Sequence, residues 1–310
     1  MKIAVLGATS FIAQELIREW VTCQARHEVH LYARDVSKVA EFIGKLDASS
    51  VIAANFTLAS FPNENFYDAV INFIGVGDPS KAQAMASTIL DVTFYYDDLV
   101  IQYLKDNQKC KYIFLSSGAA YGSDYSEPAT INKKACFDIN NIQQSEKYGL
   151  AKLITEVKHR SLGEYQICDL RVFNYFSRYQ NMNARFFITD IFRALNDCHL
   201  CEVSSEPMVR DYLHPKDFCQ IIDRILSNDN INMAADCYSL GPVDKHTLLT
   251  ELENRYGLKW CYTQEVDVIN ATGNKKNYYS KYHVLSRIGY TPVHTSLSGI
   301  FEEFDSLLRG

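Results

Sequence analysis

The sequence predicts an α/β chain, a Rossmann-type doubly wound parallel sheet with a smaller C-terminal α/β lobe. Three observations predict it. Short apolar runs alternate with longer amphipathic stretches through the first half of the 310 residues, the pattern of a parallel sheet covered on both faces. The first run leads directly into the glycine-bearing turn Gly7-Ala8-Thr9-Ser10. After Asn174 the alternation becomes irregular, with pieces from about Asn181 to Glu206 and from Cys237 to Gly310.

The elements follow in order. Lys2 to Leu6 reads as a strand, followed by a tight turn and an amphipathic helix through Trp20. Val29 to Ala33 and Val51 to Ala54 read as the second and third strands. Ala69 to Ile74 reads as the fourth, ending at Gly75. A helical pattern rich in Met, Leu, Tyr and Phe covers Lys81 to Lys105. Lys111 to Leu115 forms a fifth strand ending at Ser116-Ser117-Gly118, and Gln166 to Val172 a sixth. The expected division is a dinucleotide domain over residues 1–175 with a returning segment at about 208–235. A substrate lobe takes residues 176–207 and 236–310. No linker, repeat or low-complexity tract separates the parts, so ligand is expected between them.

Composition excludes several classes. A net charge of −6 argues against a nucleic-acid or anionic-membrane surface. No apolar run approaches a membrane span, and Met1-Lys2 leads straight into a strand without a cleavable signal pattern. Nine scattered cysteines fit reduced thiols in a cytoplasmic core better than a disulfide framework. Cys198-His199-Leu200-Cys201 has the look of half a zinc site, but no second pair stands nearby at ligand spacing, so no metal is expected.

The chemistry concentrates at Tyr148 and Lys152, four residues apart and therefore on one face of a helix. An ammonium beside a phenol favours the phenolate and lowers its pKa from about 10. A phenol so poised can exchange a proton with a substrate oxygen. At the other end, Gly7, Ser10 and Ala13 occupy the three places of a dinucleotide fingerprint. At the close of the second strand stand Ala33 and Arg34, where an NAD site usually has a carboxylate. A guanidinium there suits a 2′-phosphate, which favours NADP(H) over NAD(H).

With Gly7, Ser117, Tyr148 and Lys152 in this order, the chain resembles the extended short-chain dehydrogenase/reductase family. It is most similar to the nucleotide-sugar epimerases, dehydratases and reductases. The resemblance runs through Leu115-Ser116-Ser117-Gly118-Ala119-Ala120-Tyr121-Gly122, Leu170-Arg171-Val172-Phe173-Asn174-Tyr175 and Val209-Arg210-Asp211-Tyr212-Leu213-His214-Pro215-Lys216-Asp217. It closes with Ser280-Lys281 and Ile288-Gly289-Tyr290-Thr291-Pro292. The resemblance implies Tyr148 as acid/base, Lys152 as its electrostatic partner and ribose ligand, and Ser117 as hydrogen-bond partner of the same sugar oxygen. It implies Asn174 and Arg210 at the substrate diphosphate. Gly7, Thr9, Ser10, Phe11, Ile12, Arg34, Asn55, Ile74 and Gly75 are implied at the cofactor, together with Tyr148 and Lys152.

Three departures bear on the activity. Ser10 and Ala13 replace family glycines. Gly118-Ala119 stand where the 4,6-dehydratases of the family carry an Asp-Glu pair, so elimination of water is disfavoured. Ser177 stands where many relatives have glycine. The expected function is NADP(H)-dependent reduction of a 4-keto nucleotide-sugar. The alternatives are a C4 epimerase with retained cofactor and a catalytically silent NAD(P)-binding regulator. A homodimer built through the Lys81–Lys105 and Tyr148 helices is implied by the same resemblance, with Phe94, Tyr95, Leu99 and Tyr103 as candidate contacts.

Overall fold

In the computed structural model, which describes residues 1–46, 51–62, 65–75, 85, 88–263 and 275–309, the chain opens with β1 (Lys2–Leu6), α1 (Phe11–Thr22), β2 (Glu28–Ala33) and α2 (Val36–Gly44). There follow β3 (Ile52–Thr57), β4 (Ala69–Asn72), α3 (Ile89–Asp106), β5 (Lys111–Ser117), α4 (Lys147–Ser161) and β6 (Ile167–Val172). The remainder comprises β7 (Asn174–Tyr175), α5 (Phe187–Asn196), β8 (Cys201–Ser204), β9 (Val209–Arg210), β10 (Tyr212–Leu213), α6 (Pro215–Ser227) and β11 (Met233–Asp236). Last come β12 (Val243–Asp244), α7 (Lys245–Tyr256), β13 (Trp260–Thr263), β14 (Asn277–Tyr278) and α8 (Ser296–Arg309).

Seven parallel strands form the central sheet in the order β11-β6-β5-β4-β1-β2-β3. Strand order reverses between β1 and β4, and that switch point opens a crevice beyond the carboxyl ends of the strands. Alternation along β1 serves both layers. Ile3 and Val5 face a core with Leu16, Trp20 and Ile221, whereas Ala4 and Leu6 face one with Val100, Leu104, Tyr112 and Phe114. A third apolar cluster gathers Phe176, Ile191, Val203, Leu248, Leu252, Ile300 and Phe304 from the smaller elements.

Boundaries differ from expectation where a polar side chain changes role. β3 runs on to Thr57 rather than stopping at Ala54, because Phe56 stacks on Tyr32 of β2 with ring centroids 5.1 Å apart. β4 ends at Asn72, two residues early, where the Asn72 side chain accepts from the Ile74 N–H at 2.9 Å and turns the chain. The helix expected from Lys81 begins at Ile89; Met85 and Thr88 form a turn, and the other residues from 81 to 87 lie outside the described residues. The sequence reading also missed α2, which Asp35 caps by accepting from Ser37 N and Lys38 N.

Candidate active site

Gly7 is the hinge of the β1–α1 turn. It holds φ +77°, and a Cβ there would stand 3.0 Å from the backbone of Phe73 and Ile74, so only glycine fits between the two strands of the switch point. Ser10 then caps α1 in position alone. Its side chain makes no capping bond, leaving the first N–H groups of the helix open toward the crevice. Thr9 is exposed, Phe11 half-buried and Ile12 buried. Ile74 and the exposed Gly75 border the same crevice from β4, where a Cβ on Gly75 would stand 3.4 Å from Lys152 Nζ.

Arg34 and the Asp35 that follows it have different surroundings. Arg34 is exposed just past β2, while the Asp35 carboxylate is committed to the N-terminus of α2. Asn55 is different. It is exposed on the edge strand beside Leu31, two residues short of the strand end at Thr57.

Tyr148, Ser117 and Lys152 converge at the end of β5. Helix α4 can approach this rim because Gly149 has no side chain; a Cβ there would collide with the Ala119 carbonyl. Ser117 is buried, its Oγ accepting from Ala119 N at 3.2 Å, and its hydroxyl is the group that opposes the effect of burial on the Tyr148 phenol. Lys152 Nζ donates to the Leu115 carbonyl at 2.7 Å and lies 4.3 Å from the Phe114 ring centroid. It is 5.8 Å from the Tyr148 ring centroid.

This geometry corrects one expectation. The ammonium does not hold the Tyr148 phenol below its usual range. Burial raises that pKa, and the hydrogen bond with Ser117 is the opposing effect. Burial also brings Lys152 down to about 8, against the charges of Glu156, Asp97 and Asp169. Near neutrality the pair is therefore a protonated phenol beside an ammonium that is easily discharged.

Behind this rim lie two buried ion networks. Glu156 accepts from Ser116 Oγ at 2.5 Å and pairs with Arg171, which also reaches Tyr121 and Asp236. His159 bridges Asp97 and Asp169 at 2.7 and 2.6 Å. Burial opposes the charged imidazole, but both carboxylates together raise its pKa to about 9. Tyr112 joins Asp97 to Asn72, the residue that turns the chain at Ile74.

The two substrate candidates separate. Asn174 uses its amide to donate to the carbonyls of Asp211 and Tyr278, both at 3.2 Å, and so braces β7 against β14. Arg210 is buried and donates to the carbonyls of Val209 and Lys275 at 2.9 and 2.7 Å, with its guanidinium 5.9 Å from the Tyr278 ring centroid. The Asp211 carboxylate accepts instead from Ser239 N and Ser296 Oγ. Ser177 also gains a role: it is fully buried and accepts from Tyr179 N, and its hydroxyl partly offsets the burial that pushes the Glu15 carboxyl up to about 7.

Sequence reasoning missed four residues here. Tyr125, Phe173 and Tyr278 form an aromatic cluster against Gly118, and Lys275 Nζ lies 4.5 Å over the Tyr278 ring. Burial, with Arg210 nearby, lowers Lys275 to about 8. Nothing in the spacing of single aromatics and a Lys275-Lys276 pair signals this convergence.

Among the described residues one group has metal-ligand composition: His214, His294 and Glu302. His214 Nδ1 accepts from Lys216 N, so its Nε2 holds the proton shared with Glu303, while Lys216 Nζ covers Glu302 at 2.6 Å. It is an ion-pair cluster joining α6 to α8. Cys198 is exposed in a turn, whereas Cys201 is buried in β8.

The profile of the NAD-dependent epimerase/dehydratase family matches residues 3–241. No curated protein matches the chain in sequence. Solved structures share its fold from end to end. A dTDP-glucose 4,6-dehydratase from Bacillus anthracis in complex with NAD is 14% identical with a TM-score of 0.78, covering 100% of this chain and 97% of that one. A UDP-glucose-4-epimerase from Stenotrophomonas maltophila with bound NAD and formylated UDP-arabinopyranose is 17% identical with a TM-score of 0.79, covering 100% and 98%. A UDP-glucuronic acid 4-epimerase from Bacillus cereus in complex with UDP-glucuronic acid and NAD is 15% identical with a TM-score of 0.75, covering 100% and 99%.

Proposed function

The chain belongs to the NAD-dependent epimerase/dehydratase family and is an NAD(P)-dependent enzyme of the extended short-chain dehydrogenase/reductase type; from that premise we propose that it reduces a 4-keto nucleotide-sugar with NADP(H). The observation that supports this most is the convergence of Tyr148, Ser117 and Lys152 at a rim where Phe173 fills the space beside Gly118. A dehydratase needs groups there to remove one proton and protonate a leaving hydroxyl. The rim offers a phenol and a hydroxyl, which suit a carbonyl.

Three features support a dinucleotide at the switch point. Gly7 lets β1 and β4 close against the turn, the α1 N-terminus offers uncapped N–H groups to a pyrophosphate, and Arg34 stands free of carboxylates among the described residues. When bound, the nicotinamide supplies the hydride. Tyr148, kept protonated by burial, passes its phenolic proton to the sugar oxygen as that oxygen gains charge. Ser117 donates to the same oxygen, and Lys152 stabilises the phenolate left behind. Arg210 and Lys275 provide positive charge for the diphosphate in an otherwise acidic chain. Ligand then sits between residues 1–175 with 208–235 and residues 176–207 with 236–310.

Loss of NADPH absorbance in stoichiometric proportion to an added 4-keto nucleotide-sugar tests this reading, with Tyr148→Phe as the inactive control. A flat trace across UDP-, dTDP-, GDP- and CDP-linked keto-sugars overturns it. The family and its epimerase neighbours favour a second reading, a C4 epimerase. Tightly retained cofactor in the purified protein, with interconversion of C4 epimers and no net NADPH loss, identifies that activity. We also propose a homodimer on α3 and α4: of the four expected contacts Tyr103 is buried in the core and Phe94 and Leu99 are half-buried, but Tyr95 is exposed, and Ile154 and Val157 expose further apolar surface on α4. No helix among the described residues is long and apolar enough to cross a membrane.

A further inference from the structure

Tyr278 lies 130 residues beyond Tyr148 in the sequence, on a two-residue strand of the C-terminal part, yet its hydroxyl stands 3.4 Å from Ser117 Oγ. That distance is long for an O–H···O bond, so the phenol retains donor capacity at the rim. Its ring is fixed on three sides. Tyr125 packs edge-on at 4.8 Å, Phe173 at 5.2 Å, and Lys275 lies over its face at 4.5 Å. β14 is itself held, since Asn174 donates to the Tyr278 carbonyl and Asn277 N donates to Tyr125 O at 2.8 Å. The hydroxyl is therefore aimed rather than merely buried.

We infer that Tyr278 is a specificity-determining residue, whose hydroxyl donates a hydrogen bond to the sugar oxygen on the ring carbon next to the one that reacts. The inference rests on the reading of Ser117 and Tyr148 as the groups at the reacting oxygen. Vicinal oxygens of a pyranose stand about a hydrogen-bond length apart. A donor one such step from Ser117 Oγ meets the neighbouring oxygen when Ser117 meets the reacting one. Burial raises the Tyr278 pKa against the lowering effects of Ser117 and Arg210, which leaves it a donor and not a base. Ser117 thus stands between two phenols with different tasks: Tyr148 moves a proton, and Tyr278 recognises a substituent. A site built to hydrogen-bond a hydroxyl rejects the analogue lacking it, because the buried phenol is then left without a partner.

The test compares the full-length protein with Tyr278→Phe, which keeps the aromatic packing, and with Tyr278→Met as a second variant. Each is given the nucleotide-sugar that the wild type turns over and its analogue deoxygenated at the adjacent carbon, with NAD(P)H binding and thermal stability measured alongside. The expected result is that the wild type prefers the hydroxylated substrate by tenfold or more in kcat/KM. Tyr278→Phe loses that preference through a raised KM, with kcat within a few-fold and cofactor affinity unchanged. Tyr278→Met, if folded, loses it too. An unchanged preference in Tyr278→Phe overturns the inference, as does a fall in kcat without loss of discrimination, which puts Tyr278 at the reacting oxygen. A wild type that neither turns over nor binds any nucleotide-sugar is a distinct outcome: the underlying reading fails, and the inference falls with it.

Discussion

A Cβ built on Gly118 falls 2.5 Å from both Cδ1 and Cε1 of the Phe173 ring. The ring occupies the position that any side chain at 118 needs, and it is itself wedged between Tyr125 and Tyr278. The missing carboxylate is thus a packing fact as well as a sequence fact. Gly118→Ala is expected to destabilise the fold by about 1–3 kcal/mol through overpacking, read as a lower midpoint in chemical denaturation. An unperturbed midpoint shows that Phe173 yields freely. Gly118→Asp is expected to lose more stability and to gain no dehydration of a nucleotide-sugar.

Arg34 gives a prediction about the cofactor. Losing one charged hydrogen-bonding group costs about 1.5–3 kcal/mol, so Arg34→Ser should raise the Kd for NADPH by about tenfold or more. The Kd for NADH should change little. Titration by protein-to-nicotinamide fluorescence transfer checks it, and equal changes for both cofactors refute a 2′-phosphate contact.

His159 makes stability depend on pH in a stated direction. Its folded pKa, about 9, exceeds the unfolded value of about 6.5. The Asp97–His159–Asp169 bridge therefore contributes its full stability below about pH 6.5 and loses it as pH rises through about 9. His159→Asn removes that contribution. Unfolding free energies of the two proteins should differ most below pH 6.5 and converge above 9, whereas a constant difference counts against a charged bridge. Taking the difference between them cancels Lys152 and Lys275, whose lowered values act in the opposite sense.

The dimer prediction needs one substitution. Val157 is 62% exposed on α4 and Ile154 45% exposed one turn earlier. Val157→Asp introduces a charge that an apolar helix pair cannot solvate. Light scattering should show wild-type dimer and variant monomer at the same concentration. A wild-type monomer removes the claim.

Much of this fold was legible because its signals are local. The β1 run, the Gly7 turn and the Tyr148–Lys152 spacing each lie within a few residues, and the alternation of strands with helices was enough to predict a parallel sheet, though not its strand order. Boundaries failed where one side chain had two roles available. The third strand was expected to stop at Ala54, but it runs on through Asn55, because the neighbouring Phe56 finds Tyr32 across the strands. At the site, the expected depression of the Tyr148 pKa was a pairwise argument, and burial, which no spacing reports, reversed it. Tyr278, Lys275 and Phe173 were invisible for a different reason. Tyr278 reaches Ser117 and Phe173 reaches Gly118 from distant parts of the chain, and Lys275 covers the Tyr278 ring, through contacts that only the folded backbone brings about.

The bond from Lys152 Nζ to the Leu115 carbonyl has a wider consequence. Leu115 is two residues before Ser117 on the same strand, so the ammonium is referenced to the very segment that presents the serine. The centre behaves like an instrument whose parts share one gauge block. Drift in the outlying elements can change which molecule is accepted without changing where the proton is handed over. A lineage is then free to exchange substrates by altering the distant strands while the reaction itself stays calibrated by the sheet.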